Sequence, residues 1–290
     1  MWEMINLAQF TNQAQLSYND SVINSNIAVG EILEVISATK TAVGSTYGRD
    51  SNVTYVISVV NSGTVPYTNL TVTDNLGVYD FGTTALVPLT YNEGTANYYI
   101  NGVLQPTPAV TADGTSLVFS GINVPAGGNA TIVYEVSTNR FAPLDTDTEI
   151  TNTATVSGGG ITPVTAQATV TAESEPELSV TKSINPVPVT ENGTLTYTFV
   201  IQNTGNSPVT PDDLAVVTDT FNPTLSDLTV TFNGETLTSP TDYTYNEASG
   251  VFSTVAGVIT VPAATFTQDP TTGAWITTPG VSTLTITGTV

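Results

Sequence analysis

The chain contains two lysines, and they occur at the same place in two similar blocks: Lys40 in ISATKTA (36–42) and Lys182 in LSVTKSI (178–184). Both blocks alternate apolar and polar residues with period two, the pattern of a strand with one buried face. Parity sets Lys40 beside Ile36 and Ala38, and Lys182 beside Leu178 and Val180. If the apolar positions face a core, so do the lysines. Two aspartates fall at strand ends with the same bias. Asp74 shares a face with Leu70 and Val72, and Asp219 with Ala215 and Val217. Asn152 aligns with Ala154 and Val156, and Asn12 with Ala14 and Leu16. A buried set of Lys, Asp and Asn is reactive. Desolvation favours the neutral amine, which is a nucleophile. A carboxylic acid that burial keeps protonated can hydrogen-bond the asparagine carbonyl. Attack of the amine then expels ammonia and leaves an isopeptide bond, here joining Lys40 to Asn152 with Asp74 assisting. An unreactive reading stands beside this one. Lysine near a first strand can snorkel at an edge, Asp before a turn can cap it, and Asn can satisfy buried backbone groups. Glu135 lies on a strand expected in the core, but ranks below Asp74 because its counterpart in the second half is not acidic.

The elements that must hold these residues are strands. Val53, Tyr55, Ile57 and Val59 share a face, as do Leu195, Tyr197, Phe199 and Ile201, and each run ends in turn chemistry, NSG or NTG. The blocks recur in order: 52–64 matches 194–206, 70–76 matches 214–221, INGVL matches FNGETL, and INVPA matches ITVPA. Many short strands with turns between them imply sandwiches. The expectation is an all-β chain of two tandem immunoglobulin-like β-sandwich domains plus an N-terminal donor strand segment. The divisions are 1–33 for the donor segment, 34–173 for a complete first domain, and 174–290 for a second domain lacking its closing strands.

The repeats resemble the bacterial conserved-repeat family known as domain of unknown function eleven. The resemblance is carried by Thr39-Lys40 and Thr181-Lys182, the Tyr…Asn-(Ser/Thr)-Gly strands, the Thr-Asp strand ends at Asp74 and Asp219, and ITNTATVSG (150–158). It implies immunoglobulin-like modules of bacterial surface proteins and a structural role. The Lys, Asp and Asn set also resembles the self-crosslinking immunoglobulin-like domains of Gram-positive pili and adhesins.

The closing block ITNTATVSG has no counterpart after the second domain's blocks. Its match lies at the other end, in FTNQAQLSY (10–18), with an offset of 140 residues (152 − 12). Residues 19–33 look like its partner strand. An unfilled sandwich exposes core and unpaired backbone, and strand addition from another chain is a remedy. The expected donor positions are Phe10, Asn12, Ala14 and Leu16, with Trp2 and Phe10 as anchors in the receiving groove. A bond between Lys182 and Asn12 of the next subunit, assisted by Asp219, would seal the joint. Such head-to-tail contacts propagate into fibres unless they close. Closure within one chain, and an extra edge hairpin or a loose leader at residues 1–33, are the alternatives.

Composition narrows the function classes. The net charge is −21, from 25 acids against 4 bases, so phosphate backbones and anionic membranes are not expected partners. Cysteine and histidine are absent, which removes disulfides, thiolate chemistry and His/Cys metal sites. The acids Asp145, Asp147 and Glu149, and Asp212 and Asp213, do not have calcium-loop spacing and read as solvated loops. No cofactor, no metal and no substrate-directed catalysis are expected. Arg49 and Arg140 read as surface ion-pair partners. Trp275 lies in an insert (265–280) absent from the first domain, a lateral contact or surface decoration. The opening MWEMINLAQF has neither a basic nor an apolar leader region. No run is long and apolar enough to span a bilayer. The expected role is a subunit of an extracellular or cell- or spore-surface filament, partnered by itself. Competing readings are an adhesin or glycan-binding stalk, and a surface-layer or spore-coat component.

Overall fold

The computed structural model describes residues 8–290. The fold is all-β; among the described residues the only helical element is a 3-10 turn at Pro211–Asp213, and no helix is long and apolar enough to cross a membrane. The cause is compositional. Alternating Val, Ile, Thr and Tyr suit a pleated half-buried surface, and Gly or Asn stands where the chain turns.

The first sandwich packs two sheets over one core running from Ile36 to Ala172. One sheet runs, in spatial order, through Val103–Gln105, Asn97–Ile100, Asn129–Thr138, Asn52–Asn61 and Ile36–Ala42, so Lys40 rides its edge strand. The facing sheet runs through Ala109–Ala112, Leu117–Val124, Tyr67–Asp74, Glu149–Ser157 and Val164–Ala172. Tyr67–Asp74 thus lies inside this sheet, flanked by Leu117–Val124 and Glu149–Ser157. Thr46–Tyr47 pairs in parallel with the end of Val164–Ala172.

The second sandwich repeats the first sheet with Leu178–Asn185, Thr194–Asn203, Gly280–Thr289, Ser226–Phe232 and Glu235–Thr236. Its facing sheet stops at three strands: Tyr243–Asn246, Val251–Thr254 and Thr218–Thr220. Among the described residues nothing pairs with the outer edge of Thr218–Thr220, where the first sandwich has its closing hairpin. The consequence shows on the lysine strand. Ile36 and Lys40 are buried, whereas every residue of Leu178–Asn185 is exposed.

Residues 8–32 form a ribbon that pairs with neither sandwich. Ala8–Asn12 pairs Ala28–Ile32, and Gln15–Tyr18 pairs Ser21–Asn24. Asn19 and Asp20 close the tip with φ of 41 and 59°, as a two-residue hairpin turn requires. The ribbon carries exposed Phe10, Leu16, Tyr18, Ile23, Val29 and Ile32. Phe10 lies across Gly30, whose missing side chain makes room for the ring.

The insert around Trp275 is a hairpin, Thr265–Gln268 against Trp275–Thr278, that reaches the first sandwich. The Trp275 backbone N–H donates to Arg140 O at 2.9 Å, the Arg49 guanidinium to Thr277 Oγ1 at 2.6 Å, and Gln268 Nε2 to the Tyr79 hydroxyl at 3.1 Å. Gly273 meets Leu86 and Phe81. This corrects the expectation of a lateral contact or decoration: the hairpin braces one sandwich against the other. Arg49 is therefore a bracing donor, and Arg140 stacks on Phe141 with its guanidinium 4.8 Å from the ring centre. Neither forms an ion pair among the described residues.

Candidate functional site

Lys40 ends up wholly inside. Its strand faces Asn52–Asn61 with Lys40 opposite Ile57, and its side chain has no exposed surface. Lys40 Nζ contacts Asp74 Oδ2 and lies 4.6 Å from the centre of the Tyr55 ring and 6.0 Å from that of Tyr134. The Tyr134 hydroxyl donates to the same Oδ2, and the other carboxylate oxygen accepts the Leu76 backbone N–H at 2.9 Å. Asp74 therefore does cap its turn, with one oxygen, while the second faces the lysine. Desolvation pulls the Lys40 pKa down to about 8, against the opposing pull of the Asp74 charge.

Asn152 reaches the cluster from the neighbouring strand. The Glu149–Ser157 strand pairs Ala154 with Asp74, and Asn152 is two residues away on the same face, fully buried. Both polar atoms of its side chain are buried with no hydrogen-bond partner, as is the Tyr55 hydroxyl. The Asn152 amide thus does not serve to satisfy backbone groups. It is close to both tyrosines. Burial, reinforced by the Asp74 charge, drives the Tyr55 and Tyr134 hydroxyls up from their ordinary pKa, and the Asn152 amide opposes that rise in each. Buried polar groups are nearly always paired, so three orphaned atoms around one Lys–Asp contact mark an unusual place. Lysine and aspartate come from facing sheets, so a bond from Lys40 to Asn152 would tie the sandwich's two layers together.

Tyr55 and Tyr134 were not singled out by sequence reasoning as site residues. Glu135 was, and its placement needs correction. Tyr134 is the buried member of that pair, and Glu135 lies on the outer face, where it accepts a hydrogen bond from Asn92 Nδ2 at 2.7 Å.

The second sandwich builds the same arrangement up to a point. Lys182 contacts Asp219 Oδ2, and its Nζ lies 4.4 Å from the Tyr197 ring centre and 5.4 Å from those of Phe199 and Phe221. The Lys182 and Asp219 side chains are 39% and 19% exposed, against none for the first pair. Beside them runs an open apolar groove of about 380 Å³, lined by Val180, Phe199, Ile201, Val209, Val217 and Val261 among others. Asn12, the expected third member, is exposed on the ribbon within this chain, as are Phe10 and Leu16. Trp2, the other expected anchor, lies outside the described residues. Among the described residues no group of three or more His, Cys, Asp or Glu could hold a metal ion.

No family model matches the chain, and no curated protein matches it in sequence. Among solved structures it is similar to BcpA, the major pilin subunit of Bacillus cereus, at 13% identity and a TM-score of 0.35, over 93% of this chain and 73% of that one. It is also similar to the pilus backbone RrgB of Streptococcus pneumoniae at 12% identity and a TM-score of 0.32, over 84% of this chain and 92% of that one. A collagen-binding domain from a Staphylococcus aureus adhesin aligns at 12% identity and a TM-score of 0.30, over 47% of this chain and 97% of that one. Likenesses this low assign no function, which rests on the geometry of the two sites.

Proposed function

We propose that this chain is the structural subunit of an extracellular filament on a cell or spore surface, a homopolymer with no substrate of its own. The 8–32 ribbon of one copy closes the second sandwich of the next. One observation carries the reading. The ribbon pairs Asn12 with Ala28 and Phe10 with Gly30, and the first sandwich's closing hairpin pairs Asn152 with Ala168 and Ile150 with Val170. Each strand is offset by the same 140 residues (152 − 12 and 168 − 28), so the base of the ribbon repeats the register of the hairpin that the second sandwich lacks.

Laid on the open edge in the register of the first sandwich, Ala14 falls opposite Asp219 and Leu16 opposite Val217, as Ala154 and Val156 do with Asp74 and Val72. Asn12 then stands over Lys182 and Asp219. Covering Phe10, Leu16, Leu178 and Val180 removes apolar side chains from water, at about 1.5–3 kcal/mol for each one fully buried. The net charge of −21 works against self-association. A covalent link from Lys182 to Asn12 of the neighbour, matched inside each chain by Lys40 to Asn152, would hold the polymer regardless. In each case the amine attacks the amide carbon and the nearby aspartate relays the proton.

The test is electron microscopy of purified protein with and without residues 1–18. Long fibres from the full chain and dispersed rods from the truncated one are expected. Fibres that survive truncation, or a full chain that gives only rods or flat arrays, would remove the filament reading.

A further inference from the structure

The bond-forming reaction needs a group to hold the negative charge that builds on the asparagine oxygen, and the geometry points to Tyr55 in the first sandwich and Tyr197 in the second as that oxyanion-stabilising donor. This rests on the isopeptide reading above and adds a residue to it. Of the two buried tyrosine hydroxyls around Lys40, that of Tyr134 is committed to Asp74, whereas that of Tyr55 makes no well-formed hydrogen bond and has the Asn152 amide as its polar neighbour. The other unpartnered buried atoms of the cluster belong to the Asn152 amide, the group under attack. A buried hydroxyl and a buried amide that neighbour each other without a well-formed hydrogen bond are a poor ground-state arrangement. It suits an oxygen that moves as its carbon becomes tetrahedral, because a preorganised donor should point to where the oxyanion will be.

The second site repeats this member and not the other. Tyr55 and Tyr197 stand 142 residues apart (197 − 55), the spacing of Lys40 and Lys182 (182 − 40), and each ring lies under its lysine at 4.6 and 4.4 Å. The position equivalent to Tyr134, by strand pairing opposite Tyr197, is Ile286. Of the two hydroxyls, only the Tyr55/Tyr197 one is common to both sites.

The steps balance as follows. Lys40 passes one proton to Asp74, and the amine forms the Nζ–Cγ bond while the carbonyl π electrons move onto Oδ1, which accepts the Tyr55 O–H. Asp74 gives its proton to Nδ2 and takes one from Nζ. The oxyanion reforms the carbonyl as the Cγ–Nδ2 bond breaks. Ammonia leaves, and Asp74 is left holding the fifth proton of the original ammonium and amide.

The experiment follows intact mass during refolding of the full chain, reading the loss of one ammonia. Tyr55→Phe should form the internal bond about 100-fold more slowly, the usual cost of removing one oxyanion donor, with the shape of the pH profile unchanged. In an Asn152→Ala background, where no internal bond can form, Tyr55→Phe should leave the thermal midpoint equal or higher, which separates chemistry from packing. Tyr197→Phe should slow the bond between subunits and leave the internal one at its normal rate. Bonding at the wild-type rate in both variants would overturn the role of the tyrosines while leaving the isopeptide reading standing. A wild-type chain that never loses ammonia would overturn both.

Discussion

The two sandwiches carry the same lysine, aspartate and tyrosine at the same repeat positions, yet one site is sealed and the other is open. Lys40 and Asp74 have no exposed side-chain surface, while Lys182 and Asp219 have 39% and 19%. The residues are alike, so the difference is made by two strands, Glu149–Ser157 and Val164–Ala172, present beside the first pair and, among the described residues, without a counterpart beside the second. Those strands bury the lysine strand, supply the asparagine and exclude water. The lesson is that the Lys, Asp and Asn set is divided: amine and acid belong to the sandwich, and the amide arrives with its closing hairpin. In the first sandwich the chain delivers it by folding. In the second, delivery would coincide with joining another molecule.

The comparison can be broken most decisively at the delivered strand. Leu16→Asp places a carboxylate where the groove expects an apolar side chain next to Val217. Filament yield should fall by at least about tenfold, as measured by sedimentation, with the first sandwich unaffected. The next effect concerns the sealed site. Asn152→Ala would prevent the proposed Lys40–Asn152 bond, which would close a loop of over a hundred residues. A cross-link of that span is worth about 3–5 kcal/mol, read as a fall in the denaturant midpoint of the first sandwich. A third effect is in pH. With the bond blocked by Asn152→Ala, Lys40 titrates at about 8 in the fold and near 10.5 when unfolded. Between these values the unfolded chain binds more protons, so stability should rise from pH 8 to pH 10 by about 2 kcal/mol. Above pH 10 the slope should reverse, because Tyr55 and Tyr134 keep phenolic protons in the core that the unfolded chain releases. In the wild type, the bond-forming rate should fall above pH 8, where Lys40 loses the proton that the leaving ammonia needs. The smallest effect lies at the brace. Removing the 269–274 tip of the insert should leave both sandwiches folded and make the 173–177 linker measurably more sensitive to protease.

Much of this was legible in the sequence because period two is a strict rule. Shifting by one residue reverses a strand's faces, so Ile36, Ala38 and Lys40 had to share a side, and Asp74 had to follow Val72 inward. The strand around Glu135 was harder. IVYEV has apolar residues at both parities, and only pairing with Asn52–Asn61 decides that Ile132, Tyr134 and Val136 go in. Parity places Tyr55 and Tyr197 in the core, where both lie, but says nothing of what their hydroxyls do. The signal was available in their recurrence at the lysine spacing. The brace could not be read at all. Trp275 reaches Arg140, and Arg49 reaches Thr277, only because the insert hairpin folds against the first sandwich, and no local pattern encodes that contact.

The most direct measurement is peptide mass spectrometry on assembled protein boiled in denaturant and digested. A branched peptide joining Lys182 of one copy to Asn12 of another, lighter than its two parts by one ammonia and abolished by Asn12→Ala, is the expected result. Material that boils down to single chains at the full sequence mass, with Lys182 and Asn12 both unmodified, would contradict it.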